Sequence, residues 1–126
     1  MRQPIRVMIA DDHALFRQGL KSMLRFEPDV KVVADVDRAA DLGATLANTP
    51  RDIQLLDLQM ERRSLADIQS VPRRVHVLVV TATEQPDEAL AALRAGARGV
   101  VFKRFAVETL TDAMRAVNVL ITLPQS

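Results

Sequence analysis

The sequence predicts a doubly wound parallel α/β sheet of five strands with helices on both faces. Two observations lead there. Five short runs rich in apolar and β-branched residues recur along the chain, mostly continuous rather than alternating, as strands buried on both faces require. Helical patterns fall between them, and strict alternation of strand and helix builds a parallel sheet. Ligands of such sheets sit beyond the carboxyl ends of the strands, where the winding reverses.

The elements follow in order. The first strand is read at Arg6–Ala10, and Phe16, Leu20, Met23 and Leu24 then share one face of a helix. A second strand spans Val30–Val36, and the helix after it ends at Asn48, Thr49 and Pro50. The third strand is expected at Asp52–Leu58. Ser64, with Asp67 three residues on, suits the cap of a short helix that stops before Pro72. Val75–Val80 reads as the fourth strand. Pro86, Asp87 and Glu88 then suit a helix start, where a missing N–H is harmless and negative charge meets the positive end of the dipole. Gly96 suits its stop. Gly99–Phe102 forms the fifth strand, and Val107, Leu110, Met114 and Val117 line one face of the last helix.

Composition narrows the function. At 126 residues and 48% hydrophobic, the chain fits one domain. It has no cysteine, which excludes disulfides, thiolate metal sites and cysteine nucleophiles and makes a cytoplasmic setting the expectation. No apolar run approaches the roughly 20 residues of a membrane helix, and no signal-peptide core is apparent, so no membrane association is expected. Seventeen basic against sixteen acidic residues give a net charge of +1. That balance argues against binding nucleic acid by neutralising phosphates. Only Lys21, Lys31 and Lys103 are lysines among those basic residues, so a lysine closing an apolar strand stands out.

Five polar residues fall at strand ends. Asp11 and Asp12 follow the first strand, Asp57 ends the third, Thr81 follows the fourth and Lys103 the fifth. Singly, each has an ordinary explanation: helix cap, turn residue or solvated charge. Asp57 is harder to dismiss, because Leu55-Leu56-Asp57-Leu58 places a carboxylate in an apolar run where an unpaired charge is costly. Three carboxylates at one sheet edge repel one another and call for a cation. Oxygen donors completed by water and phosphate oxygens suit Mg²⁺. An ammonium and a hydroxyl beside them would hold an incoming phosphoryl group, with Asp57 as the in-line nucleophile.

With those residues in place, four segments resemble the receiver domains of two-component response regulators: Ile9-Ala10-Asp11-Asp12-His13-Ala14-Leu15-Phe16-Arg17-Gln18-Gly19-Leu20, Leu55 to Met60, Val79 to Thr83, and Ala95 to Lys103. The first segment is similar to the NarL/FixJ subfamily in particular. The resemblance implies a flavodoxin-like, CheY-like (βα)₅ fold of strand order 2-1-3-4-5 over residues 1–120, with 121–126 opening an interdomain linker. It implies that Asp11, Asp12 and Asp57 bind Mg²⁺ together with the backbone carbonyl of Gln59. Asp57 would take the phosphoryl group from a sensor histidine kinase, Lys103 would pair with its oxygens, and Thr81 would report it. Gln59 and Thr83 stand where the family tunes hydrolysis. The implied protein is a switch rather than a turnover enzyme. It would pair as a homodimer on activation and reach DNA only through a C-terminal helix-turn-helix domain absent from this chain.

The sequence also departs from the pattern. After Met60 it reads Glu61-Arg62-Arg63-Ser64 in place of Pro and a Gly-containing loop, and reaches the fourth strand early. The loop flanking Asp57 and the helix after it should therefore be short. Val100 replaces a family aromatic, with Phe102 on the same strand face read as packing. Arg104 stands where many receivers carry a cis-proline, and the peptide before it should be trans. His13 reads as structural or solvated, and His76, inside the fourth strand, as a satisfied core or edge residue; neither reads as a ligand. The alternatives are a pseudo-receiver, which keeps the fold as an interaction module without phosphate, and an aspartyl-phosphate phosphatase. The latter needs a general-acid Asp two residues after the nucleophile, where Gln59 stands.

Overall fold

The structure is a computed structural model that describes residues 3–37, 49–58, 65–72 and 74–122. Five strands, β1 (Ile5–Ala10), β2 (Val30–Val36), β3 (Ile53–Leu56), β4 (His76–Thr81) and β5 (Gly99–Phe102), pair in parallel in the order β2-β1-β3-β4-β5. The described helices are α1 (Ala14–Leu24), α2 (Leu65–Ser70), α3 (Pro86–Ala95) and α4 (Ala106–Thr122), with a 3₁₀ turn at Lys103–Phe105. The helix expected between β2 and β3, the cap at Ser64 and the shortened loop after Met60 lie outside the described residues. The short helix expected before β4 has six residues.

Strand alternation divides the core into two layers. Val7, Ile9, Ile53, Leu55, Leu78 and Val80 face Leu20 and Leu24 of α1 and Leu110, Met114 and Val117 of α4. Met8, Ala10, Leu56, Val77 and Val79 face Ile68 of α2 and Ala92 of α3. The helices therefore cover both faces, and the central strands bear it out: all residues of β3 and β4 are buried, whereas the edge strands β2 and β5 are mixed. This is why the central runs read as continuous rather than alternating.

Local signals set the boundaries. Pro86 opens α3 with Asp87 and Glu88 in its first turn, and Gly96 closes it at φ 119°, a left-handed backbone that favours glycine. β3 stops at Leu56, short of the expected Leu58, although the Asp57 N–H still donates to the Ala10 carbonyl at 2.9 Å. β4 starts one residue later than expected and includes Thr81. The peptide before Arg104 is trans, and no cis peptide occurs among the described residues. α4 continues to Thr122, two residues past the expected domain boundary at 120.

His76 is buried in the core, as read from sequence, but it is not hydrogen-bonded throughout: its Nδ1 has no partner among the described residues. Burial, assisted by the nearby Arg98 charge, pushes its pKa below the ordinary 6.5. Below pH 6.5 the unfolded chain therefore takes up a proton that the folded chain resists, and stability falls as pH falls toward the lowered folded value. Urea unfolding of the wild type between pH 7.5 and 5 should show this loss, limited to about 1.4 kcal/mol per pH unit for a single group. His76→Leu should flatten that slope; an unchanged slope would assign the acid loss to other groups.

Candidate functional site

The strand order places the reversal of winding between β1 and β3, because the chain leaves β1 for β2 on one side and returns to β3 on the other. Asp11 follows β1 and Asp57 follows β3, so the two carboxylates flank that crevice. Backbone pairing fixes both. The Asp11 N–H donates to the Val36 carbonyl at 3.1 Å, as Asp57 does to Ala10. Their burial is nearly complete, with residual exposures of 2% and 1%. Asp12, one residue on, is exposed.

Lys103 crosses from the end of β5 to meet them. Its ammonium lies 3.0 Å from Asp11 Oδ2 and 3.3 Å from Asp57 Oδ2. It also donates to His13 Nδ1 at 3.1 Å and sits 4.6 Å over the Phe16 ring. The ammonium thus pairs with two carboxylates, hydrogen-bonding Asp57 and the imidazole, on a cation-π seat. A charged lysine so enclosed is stable only because two carboxylates offset its desolvation.

Thr81 is buried at the end of β4, and its hydroxyl oxygen accepts the Thr83 N–H at 3.2 Å. Thr83 in turn accepts from the Gln85 N–H at 3.4 Å. These are the local side-chain turns that Thr favours where a strand ends, and they align both hydroxyls along the loop leading to α3. Gln59 lies outside the described residues.

Three neighbours that the sequence reading did not assign to the site belong to it. His13 precedes α1 and joins Asp11, Asp12 and Asp57 in a group whose potential ligand atoms lie within 4.8 Å of one another. Arg17 donates to the Asp11 carbonyl at 2.7 Å and to Asp35 Oδ2 at 3.1 Å, tying the loop after β1 to β2. Phe16 underlies Lys103. The signal was present: position 13, at the N-cap, and positions 16 and 17 share one face of the helix that follows the acidic pair. Arg104, by contrast, turns away to a surface ion pair with Glu84 at 3.1 Å. Val100 packs against the α2–α3 side of the core, and Phe102 on the same strand face is half-buried.

The donor set fits a hard divalent cation: carboxylate oxygens dominate it, two of them buried, and a cationic group already stands among them.

Residues 7–115 match the family described as the response regulator receiver domain. The chain belongs to that family. It is 32% identical over 117 residues to the nitrate/nitrite response regulator protein NarP of Escherichia coli, covering 90% of this chain and 54% of that protein. It is 33% identical over 120 residues to the probable transcriptional regulatory protein NarL of Mycobacterium tuberculosis, covering 91% and 54%. This receiver therefore spans about half the length of the curated relatives it matches. Among solved structures it superposes on a LuxR-family two-component response regulator from Aurantimonas sp. SI85-9A1 with TM-score 0.86, 26% identity and coverage of 93% and 86%. The signal receiver domain of the putative response regulator NarL from M. tuberculosis gives 0.74 and 28%, covering 98% and 100%. The chain is thus a receiver of the NarL/LuxR type on a flavodoxin-like sheet. No described helix is long and apolar enough to cross a membrane.

Proposed function

We propose that this receiver is a Mg²⁺-dependent phosphoacceptor switch in which Asp57 takes a phosphoryl group from a sensor histidine kinase. The observation that carries the reading is the convergence of Asp11, Asp57 and Lys103 within 3.0–3.3 Å at the winding reversal. Asp11, Asp12 and Asp57 would hold the ion, with the Gln59 carbonyl as a further ligand. Mg²⁺ in this setting supplies charge neutralisation and orientation for phosphoryl oxygens.

The chain's own groups supply the rest. An Asp57 carboxylate oxygen attacks phosphorus, the bond from phosphorus to the donor imidazole nitrogen breaks, and that nitrogen keeps the electron pair. Lys103, already aimed at Asp57 Oδ2, exchanges a carboxylate partner for a phosphoryl oxygen. Thr81, whose hydroxyl oxygen accepts from the Thr83 N–H before phosphorylation, turns to donate its O–H to the new anion, and that rearrangement biases the domain between two conformations. Thr83 and Gln59 influence the rate of hydrolysis. An apolar groove lined by Leu15, Phe16, Leu20, Met23 and Ala106 opens beside Lys103, with Leu15 89% exposed. Such a patch next to the reacting carboxylate suits a protein phosphodonor. Homodimerisation on activation, a cytoplasmic setting, and DNA control through a further helix-turn-helix domain complete the reading, which rests on the family.

Incubation with phosphoramidate and Mg²⁺ followed by intact-mass measurement tests it. One phosphoryl adduct is expected, absent with EDTA and in Asp57→Ala. A folded sample that forms no adduct supports the pseudo-receiver instead.

A further inference from the structure

His13 lies beside the site, yet nothing in the phosphoacceptor reading uses it. Its side chain is 65% exposed and makes no capping bond to α1, so neither burial nor helix capping accounts for where it points. Its backbone N–H donates to Asp11 Oδ1 at 2.7 Å, which fixes the Cα beside the crevice. From there Nδ1 accepts from Lys103 Nζ at 3.1 Å, which places the ring proton on Nε2, the other ring nitrogen.

The three partners of Lys103 are not equivalent. Asp11 and Asp57 are the carboxylates the proposed function commits to Mg²⁺, and their hold on the ammonium weakens when they serve the ion. An uncharged imidazole competes poorly with carboxylates for a hard cation, so the His13 contact survives that change. Phe16 restricts the same ammonium from below at 4.6 Å. We propose that His13 is a positioning residue for Lys103: its Nδ1 keeps the ammonium at the crevice once the carboxylates serve the ion, ready to meet a phosphoryl oxygen. The inference rests on the phosphoacceptor reading. It assigns His13 no bond to the ion and no proton transfer.

Removing a hydrogen bond to a charged group changes an equilibrium or rate by about tenfold or more. His13→Ala should therefore slow adduct formation from phosphoramidate at saturating Mg²⁺ by about tenfold, while Mg²⁺ affinity, read by calorimetric titration, stays within about twofold. His13→Asn is the decisive companion, because an Asn side-chain oxygen can occupy the place of the imidazole Nδ1 and accept the same bond. It should recover most of the lost rate. Thermal unfolding of both variants shows that they are folded, as expected for an exposed side chain. A wild-type rate in His13→Ala overturns the proposal. So does a loss of Mg²⁺ affinity matching the loss of rate, which would make His13 a ligand, or an Asn variant no faster than Ala. If the wild type forms no adduct, the phosphoacceptor reading fails and this inference falls with it; an adduct on the wild type with unaffected variants sinks the His13 role alone.

Discussion

Lys103→Ala should destabilise the metal-free protein by about 3 kcal/mol, because it strips the cation from two buried carboxylates and leaves them facing one another. Asp11 and Asp57 have side-chain exposures of 3% and 0%, so water cannot simply take the ammonium's place. The effect should reverse with metal. Counting formal charges, the site holds three carboxylates and one ammonium, −2 in all, and −3 after the substitution. The variant should therefore bind Mg²⁺ more tightly than the wild type, by roughly tenfold, since the ion no longer competes with an ammonium for the carboxylates. Any ligand that binds only the folded state stabilises it, by about 2.7 kcal/mol at a hundred times its dissociation constant. Urea unfolding with and without Mg²⁺ should thus show a larger metal-induced gain in the variant than in the wild type. The same variant should lose adduct formation, because nothing then meets the phosphoryl oxygens. Equal Mg²⁺ gains in the two proteins would mean that the ammonium and the ion do not share the crevice.

The sequence disclosed the scaffold through its strongest physical signal. Central strands buried on both faces are largely apolar, and Ile53-Gln54-Leu55-Leu56 and His76 to Val80 were read correctly as strands despite a buried Gln54 and His76. Ends were less legible. Asp57 was read as strand-terminal from its apolar neighbours, but the strand ends at Leu56, although the Asp57 N–H still donates to the Ala10 carbonyl. The convergence of Asp11, Asp57 and Lys103 was also legible, since strand order and strand ends determine it together. The company kept by Lys103 was not. His13 was set aside as structural or solvated; its ring is mostly exposed, yet Nδ1 meets the Lys103 ammonium. Composition and periodicity say which face a residue occupies, whereas the meeting of one ring nitrogen with an ammonium depends on where Lys103 lies, at the start of the 3₁₀ turn at Lys103–Phe105 and seated over Phe16. His76 was misread for a related reason: burial was visible from the strand pattern, but hydrogen-bond satisfaction is a property of neighbours distant in sequence.

Leu110→Ala separates the scaffold from the chemistry. Leu110 is fully buried between α4 and the sheet, in the layer formed with Leu20, Leu24, Leu78 and Val80. Truncation removes its apolar contacts and leaves a cavity that α4, held by Met114 and Val117 on the same face, cannot close by tilting. A cost of about 3 kcal/mol follows from both contributions. A domain of this size has roughly 5–15 kcal/mol in hand, so the variant remains folded at room temperature. The site should scarcely notice. Asp11 and Asp57 are fixed by backbone bonds to Val36 and Ala10, on the strands themselves, and Lys103 by the carboxylates it meets. Urea unfolding should therefore show the full loss of stability while Mg²⁺ affinity and the rate of adduct formation stay within about twofold of wild type. A matching loss of Mg²⁺ affinity would show instead that the α4 layer sets the geometry of the crevice through the turn at Lys103–Phe105, and that the strand ends alone do not position the carboxylates.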